Sequence, residues 1–351
     1  MYCRRCHRRY EDDSLFCAWD GEKLSPKPLA KHVRHKPSEL AGATLGGRYQ
    51  IRGLLGRGAL SQVLLAKDLT TEEPVALKVL EAKHLKEPKK RARFLLEAKA
   101  MSELVHPHVA AVIDVGLCDD GAPYLALEYL LGESLGSYLR REKRIDPELG
   151  VALVRHVAAG LAHAHGMGVV HRDVKPDNVF LVGEIGKPHT AKIVDFGLAR
   201  VAEQRGLTMQ GTTVGTIQYM APEQAVADET DPRTDVYGLG VLLYRALSGR
   251  LPFDFDDESK VLAHQLAAPP PPPALGEGPL ARDLAAIIVR TLRKKKENRY
   301  PTMAALEADL ARAGTGARLA AAEPLAAADD TYVPASAFAE RAAAFLKKRL
   351  G

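Results

Sequence analysis

Hydrophobic and polar residues alternate in the first regular part of the chain, as they do in half-buried β-strands. Runs bounded by glycines and charged turns predict strands at Tyr49–Leu55, Gln62–Asp68, Pro74–Val79, Val109–Val115 and Tyr124–Tyr129. Between them, Phe94–Val105 has the apolar spacing of a helix, with Phe94, Ala98, Met101 and Val105 on one face. This part of the chain is therefore predicted to form a sheet with one helix.

The later part of the regular pattern is mostly helical. Helices are predicted at Leu135–Arg141, Pro147–Met167, Asp235–Ser248, Arg282–Leu292 and Thr302–Arg312. A hairpin at Val179–Lys192 interrupts them, and the prolines of Pro269–Pro273 predict a loop with polyproline II backbone. Strands followed by helices indicate an α+β fold with two lobes, the first rich in strands and the second in helices.

The pattern divides the chain into four regions. Residues 1–25 form a small cysteine-rich segment, and residues 26–48 form a linker rich in Pro, Lys and His. Residues 49–313 form the globular domain, with a first lobe at 49–130 and a second at 131–313. Residues 314–351 form an Ala-rich tail, in which Ala335–Leu350 has the pattern of an amphipathic helix.

The composition is that of a globular protein. Hydrophobic residues make up 46% and charged residues 26% of the 351 residues, which excludes a disordered or collagen-like chain. A net charge of +5 does not require a nucleic-acid partner. The sequence has neither a secretory signal nor the roughly 18 apolar residues of a membrane span, so a cytoplasmic protein without a membrane span is expected.

A glycine-rich segment connects the first two predicted strands. It reads Leu55-Gly56-Arg57-Gly58-Ala59-Leu60-Ser61-Gln62-Val63, and its small residues allow backbone N–H groups to approach an anion. A dinucleotide-binding turn would be followed by a helix, whereas a strand follows here. Taken alone, the segment is equally well explained by a hairpin that contains glycines.

The third strand carries a lysine among apolar residues, in Val75-Ala76-Leu77-Lys78. Burying a lysine is costly unless anionic groups compensate its charge. Phosphate oxygens and the carboxylate of Glu97 on the following helix would do so. The alternative is a lysine on an edge strand whose ammonium group reaches water.

Two further segments place acidic and amide side chains on loops. The first is His171-Arg172-Asp173-Val174-Lys175-Pro176-Asp177-Asn178, and the second is Ile193-Val194-Asp195-Phe196-Gly197. Phosphoryl transfer needs this mixture: a carboxylate to orient the attacking hydroxyl, a carboxylate and an amide to hold Mg²⁺, and a lysine to neutralise the phosphoryl group. A single Asp of this kind is more often a turn residue.

In their order and spacing, these segments resemble the eukaryotic-type (bacterial Hanks-type) serine/threonine protein kinases. The resemblance covers about residues 49–313 and implies the bilobal kinase fold and transfer of the γ-phosphoryl group of ATP to protein Ser/Thr hydroxyls, with Mg²⁺ or Mn²⁺. The residues that it implies for ATP binding are Leu55, Gly56, Gly58, Val63, Ala76, Lys78, Leu127, Glu128, Leu130, Phe180, Asn178 and Asp195. The family's third loop glycine is replaced here by Ser61.

The resemblance also implies catalytic roles. Asp173 would act as the base and Lys175 would assist the γ-phosphate, while Lys78 contacts the α/β-phosphates and pairs with Glu97. Asn178 and Asp195 would bind Mg²⁺, and Thr216 would bridge Asp173 and Lys175. Lys175 and Thr216 indicate Ser/Thr acceptors. A stack formed by Met101, Val112, His171 and Phe196 is also implied.

The segment Leu198–Val214 corresponds to the family's activation segment and contains Thr208, Thr212 and Thr213. Arg172 stands beside Asp173, where it could bind a phosphothreonine. We therefore expect autophosphorylation, with Thr208 as the first choice. Glu223 is expected to pair with Arg299, and Asp235 to brace the catalytic loop.

The N-terminal segment resembles a zinc ribbon. Cys3 and Cys6 have the C-x-x-C spacing of a zinc knuckle, and Cys17 and Asp20 occupy the places of the second pair. His7 is an alternative fourth ligand, and a metal-free segment remains an alternative. Cys118 is expected to be a buried thiol.

Three functions fit these patterns. The first is an ATP-dependent protein Ser/Thr kinase whose N-terminal segment binds a docking partner. The second is an interaction scaffold with a zinc ribbon and a nucleotide-binding, weakly active kinase-like domain. The third, nucleic-acid binding through Arg4, Arg5, Arg8 and Arg9, is disfavoured because acidic residues follow and no aromatic stacking surface is evident.

Overall fold

The structure is a computed structural model that describes residues 40–58, 60–184, 187–196 and 217–322. One antiparallel sheet of six strands and one helix form the first lobe. These elements are β1 (Thr44–Leu45), β2 (Tyr49–Arg57), β3 (Ser61–Asp68), β4 (Pro74–Leu80), α1 (Pro88–Glu103), β5 (Val112–Leu117) and β6 (Pro123–Glu128). The strand order is β1-β2-β3-β4-β6-β5.

The sheet of the first lobe curls so that its edge strand β5 approaches β2, the neighbour of the other edge strand. Asp114 on the edge strand β5 accepts hydrogen bonds from Tyr49 Oη on β2 (3.0 Å) and from Tyr124 Oη on β6 (3.1 Å). The curled sheet encloses a separate apolar cluster, against which Leu40 and Leu45 also pack. Residues 40–48, which the sequence pattern assigns to a linker, therefore belong structurally to this lobe.

Helices and a three-stranded sheet form the second lobe. These elements are β7 (Gly132–Ser134), α2 (Leu135–Glu142), α3 (Pro147–Gly166), β8 (Val179–Glu184), β9 (Lys187–Ile193), α4 (Pro222–Ala225), α5 (Pro232–Ser248), α6 (Glu258–Ala267), α7 (Pro279–Thr291) and α8 (Met303–Arg312). Asp146, Asp231 and Thr302 cap α3, α5 and α8 with side-chain oxygens, as expected for residues that precede helices. The prediction of an α+β fold with two lobes is confirmed.

Several elements differ from the sequence-based prediction for local physical reasons. Helix α1 begins at Pro88 rather than Phe94, because proline is favourable in the first turn of a helix. Strand β5 begins at Val112 rather than Val109, because Val109 forms an isolated bridge with Ile193 of the second lobe. In this bridge Ala110 N–H donates to the Ile193 carbonyl, and Ile193 N–H donates to the His108 carbonyl. Helix α6 was not predicted, and neither were the short elements β1, β7 and α4.

The C-terminal side of the domain extends beyond residue 313. Asp309 accepts hydrogen bonds from the backbone N–H groups of Ala320 (3.0 Å) and Ala321 (2.8 Å), and Leu319 is buried. No helix within the described ranges is long and apolar enough to cross a lipid bilayer.

The loop between α1 and β5 carries His106 and His108, which pack against histidines of α3 in the second lobe. The rings of His108 and His156 stack at 4.2 Å, and those of His106 and His163 stack at 5.2 Å. Burial, together with neighbouring positive charge, lowers the pKa of His106, His108 and His156. The folded protein therefore favours the neutral form of these rings.

We predict that the free energy of unfolding decreases as the pH falls from 7 to 5. The unfolded chain takes up protons near the ordinary histidine pKa of about 6.5, whereas the folded cluster binds them only at lower pH. The contribution of the cluster to the free energy of unfolding is thus fully present above the pKa of the unfolded chain, and it is lost as the pH falls below that pKa. Replacing His156→Phe keeps a stacked ring and should make urea denaturation less dependent on pH.

The matched control is His264→Phe, which lies outside the cluster. The difference in its free energy of unfolding between pH 7 and pH 5 should equal that of the wild type. An equal pH dependence in wild type and His156→Phe would contradict a role of the cluster.

Candidate active site

The glycine-rich segment and the buried lysine lie in one row across the first sheet. Gly56 on β2 pairs with Val63 on β3, and Val63 pairs with Lys78 on β4. Ala76 precedes Lys78 by two positions, so it shares the same face of β4, and it pairs with Leu127 on β6. The pairing therefore brings the predicted adenine and phosphate residues of these strands to one surface.

A backbone hydrogen bond links the residue after β2 to the first residue of β3. The backbone N–H of Gly58 donates to the carbonyl of Ser61 at 2.8 Å. A Cβ atom at Gly56 would meet no atom within 4 Å, and one at Gly58 would make only an ordinary contact with Ser61. The space beside both glycines is thus available to an anion.

Lys78 connects the first lobe to the second. Its Nζ donates to Asp195 Oδ1 at 2.9 Å, and its side chain is 10% exposed, against 41% for Asp195. The buried ammonium group thus has an anionic partner. The alternative of a lysine on an edge strand is wrong, because β4 lies between β3 and β6. Glu97 lies in α1, but its side chain is outside the described part of the structure.

A second group of polar side chains surrounds Asp173. Lys175 Nζ donates to Asp173 Oδ2 at 2.8 Å. Asn178 Nδ2 donates to the same oxygen at 3.0 Å and to the Asp173 carbonyl at 2.8 Å. Asn178 Oδ1 accepts no hydrogen bond from any residue in the described ranges, which leaves it available to a cation.

The backbone of this loop is held from α5. Asp235 accepts hydrogen bonds from the N–H groups of His171 (2.8 Å) and Arg172 (2.7 Å). Arg172 has a φ of 66°, a conformation that is unfavourable for a residue with a side chain. The predicted bracing of the loop by Asp235 is confirmed.

Two aromatic rings meet behind the loop. The His171 and Phe196 rings are 4.7 Å apart, and burial lowers the pKa of His171. Met101 and Phe196 belong to the same buried cluster, and Val112 packs against it. The predicted stack is confirmed for the pair His171 and Phe196, and its other members contribute to the surrounding core.

A buried ion pair supports the segment that follows residue 216. Arg299 Nη1 and Nη2 donate to the two carboxylate oxygens of Glu223, both at 2.8 Å, and both side chains are fully buried. The hydroxyl of Thr234 also donates to Glu223, at 2.8 Å. The predicted pair of Glu223 and Arg299 is confirmed.

The side chain of Glu128, at the end of β6, has a contact that sequence reasoning missed. It accepts hydrogen bonds from the backbone N–H of Ala111 (2.8 Å) and from Lys192 Nζ on β9. It thereby ties the connection between the lobes to the strand that leads to Asp195. No local signal marks this contact, because Glu128 and Lys192 are far apart in the sequence.

Several predicted residues lie outside the described part of the structure. They are Thr208, Thr212, Thr213, Thr216, Cys3, Cys6, Cys17, His7 and Asp20. Within the described ranges, no group of three or more His, Cys, Asp or Glu side chains could hold a metal ion. Cys118 is buried and unpaired with another cysteine, and burial raises its thiol pKa to about 11.

The residues present suit a nucleotide with a divalent cation. Asp195 and Asn178 supply the carboxylate and amide oxygens that Mg²⁺ prefers, and Lys78 and Lys175 supply positive charge. The open space beside Gly56 and Gly58 would receive phosphate oxygens. The donor set therefore fits Mg²⁺ bound together with ATP.

Residues 49–310 match the family model described as the protein kinase domain. The chain is 36% identical over 278 residues to the serine/threonine-protein kinase pkn3 of Myxococcus xanthus, which covers 78% of this chain and 51% of that protein. It is also 36% identical over 298 residues to the serine/threonine-protein kinase PknB of Mycobacterium tuberculosis. That alignment covers 84% of this chain and 47% of PknB. The chain therefore spans about half the length of these curated relatives.

The fold is similar to that of solved protein kinase domains. The crystal structure of the Mycobacterium tuberculosis PknI kinase domain aligns with a TM-score of 0.61 and 26% identity. The alignment covers 80% of this chain and 100% of that one. The predicted kinase-like fold is thus confirmed for the two lobes.

We predict that Arg299→Met lowers the free energy of unfolding by about 3–5 kcal/mol, because it leaves the Glu223 carboxylate buried and uncompensated. Urea denaturation followed by circular dichroism measures this loss. Arg141 makes a similar pair with Glu133 near the surface and provides a matched control. Arg141→Met should cost much less, and equal losses in the two variants would contradict the importance of burial.

Proposed function

This chain belongs to the protein kinase family, in its bacterial Hanks-type branch, and we propose that it transfers the γ-phosphoryl group of ATP to serine and threonine hydroxyls of proteins. One observation carries the proposal. Lys78 meets Asp195, and Lys175 and Asn178 meet Asp173, in the cleft between the two lobes. Residues from three separate segments thus supply the charges that this reaction requires.

We assign nucleotide binding to the cleft face of the first lobe. Ala76 and Phe180 enclose the adenine ring, and Leu55 and Val63 cover it, beside Leu127. Backbone groups of Glu128 and Leu130 hydrogen-bond the ring edge. The open space beside Gly56 and Gly58 receives the phosphates, and Lys78 binds the α/β-phosphate oxygens. The shared face of Gly56, Val63, Ala76 and Lys78 supports this assignment.

We assign the chemistry to the loop of the second lobe. Asp173 orients the acceptor hydroxyl and accepts its proton, and Lys175 stabilises charge on the transferred group. Asn178 and Asp195 would hold Mg²⁺ (or Mn²⁺), which neutralises charge on the phosphates when bound. Asn178 also fixes Asp173 through its two hydrogen bonds, so the acceptor oxygen meets a carboxylate of defined position.

We further propose that the activation segment is phosphorylated by the kinase itself. Burial lowers the pKa of Arg172, and its Nε has no hydrogen-bond partner among the described residues. A phosphothreonine at Thr208, Thr212 or Thr213 would give this guanidinium group an anionic partner. Thr216 would join Asp173 and Lys175 in aligning Ser/Thr acceptors. Phosphopeptide mapping of active protein should find a modified threonine, and unmodified Thr208, Thr212 and Thr213 would contradict the proposal.

For the N-terminal segment we propose structural Zn²⁺ held by Cys3, Cys6 and Cys17, with Asp20 or His7 as the fourth ligand. This segment would bind a docking partner rather than take part in chemistry. The cytoplasm supplies ATP and keeps such thiols reduced, so it is the proposed location. Elemental analysis of the full chain should find zinc that is lost in Cys6→Ser, and zinc-free wild type would overturn the proposal.

We predict that Asp173→Asn and Lys78→Met each lower the transfer of labelled phosphate from ATP to casein by about a hundredfold or more, because each removes a charge that acts on the reacting groups. Calorimetry should show that Asp173→Asn still binds Mg–ATP, since Asp173 contacts the acceptor. Lys67→Met changes an exposed lysine of the same sheet that pairs with Glu72, and it should keep wild-type activity.

Wild-type activity in Asp173→Asn would contradict the assignment of the base. Binding of Mg–ATP without any transfer by the wild type would instead favour the second candidate function, a nucleotide-binding scaffold.

A further inference from the structure

The side chain of Gln224 connects two segments that lie 52 positions apart in the sequence. Its Nε2 donates to the carbonyl oxygen of Arg172 at 2.8 Å. Its Oε1 accepts a hydrogen bond from the backbone N–H of Ala221 at 3.1 Å. The residue is 7% exposed, so water competes little for these two hydrogen bonds.

The carbonyl that Gln224 binds belongs to the peptide unit joining Arg172 to Asp173. At the other end of that unit, the N–H of Asp173 donates to His171 Nδ1 at 3.2 Å. Arg172 itself is held in the left-handed region, with its own N–H bound to Asp235. Gln224 and His171 together therefore fix the plane of the peptide that carries the side chain of Asp173.

Gln224 also belongs to the segment that leads from the activation segment into α5. This segment contains the turn Ile217–Tyr219 and helix α4. A second buried glutamine, Gln265 on α6, holds the same turn, because its Nε2 donates to the carbonyl of Gln218 at 2.7 Å. Of these two glutamines, Gln224 is the one that reaches the catalytic loop, and Gln265 contacts α5 through Tyr237.

We propose that Gln224 is a positioning residue, which sets the orientation of the Asp173 carboxylate by binding the Arg172 carbonyl. This inference rests on the proposed function of Asp173 as the base. Without the amide donor, the Arg172 carbonyl would be left unsatisfied in a buried place, and the strained backbone of Arg172 could relax. Asp173 would then meet the acceptor hydroxyl at a less favourable angle.

The alternative is that Gln224 only caps the start of α4 through its bond to Ala221. The two roles use different atoms of one amide, and a single substitution separates them. Gln224→Glu keeps an oxygen that accepts from Ala221 but has no N–H to donate when ionised. Gln224→Met has a similar length and loses both hydrogen bonds. Gln265→Met removes the matching bond to Gln218 and serves as the control.

The experiment measures kcat and KM for ATP and for casein with the full chain, together with the melting temperature of each variant. We expect Gln224→Glu and Gln224→Met to lower kcat by about tenfold to a hundredfold, with the KM for ATP changed by less than about threefold. Gln265→Met should lower the melting temperature and weaken casein binding while keeping kcat within about threefold of wild type.

A kcat of Gln224→Glu within about twofold of wild type would overturn the inference and leave Gln224 as a helix cap. A loss of kcat in Gln265→Met equal to that in Gln224→Glu would also overturn it, because packing of the segment would then explain both. If neither the wild type nor Asp173→Asn transferred phosphate, the proposed function itself would be overturned.

Discussion

The geometry of the catalytic loop depends on one buried carboxylate, that of Asp235 in the first turn of α5. It is 1% exposed and has three close partners: His165 Nε2 at 2.7 Å and the backbone N–H groups of His171 and Arg172. A carboxylate in such a place is stable only when enough donors surround it. Because two of the donors are backbone groups of the loop that contains Asp173, the buried carboxylate of Asp235 stabilises the conformation of that loop.

The same turn of α5 also holds the segment that follows residue 216. Thr234 precedes Asp235 and donates to Glu223, whose carboxylate is bound by Arg299. Adjacent residues of one helix thus fix the loop that bears the proposed base, Asp173, and the segment that contains Glu223. Phosphoryl transfer is sensitive to small displacements of the reacting groups, so a shared rigid support is a physical requirement of the reaction.

Much of the fold and of the site could be predicted, because the relevant signals are local. Alternation in Tyr49–Asp68 specifies strands, and the pattern of Asp173, Lys175 and Asn178 is contained in one short segment. What could not be predicted depends on contacts between distant segments. The start of β5 is shifted by the pairing of Val109 with Ile193. The neighbours of Gln224 in the sequence do not indicate its contact with Arg172. Helix α6 is short and follows a charged, irregular segment, so its period is weak.

The most direct test of this account is the rate of phosphate transfer by Asp235→Asn. The variant has nearly the volume of the wild type, but it turns one acceptor oxygen into a donor that faces other donors. The account predicts a loss in kcat of about a hundredfold or more, which exceeds any loss of affinity for Mg–ATP measured by calorimetry, because the glycine-rich segment and Lys78 lie in the other lobe. A kcat equal to that of the wild type would contradict the claim that Asp235 holds the catalytic loop in its active form.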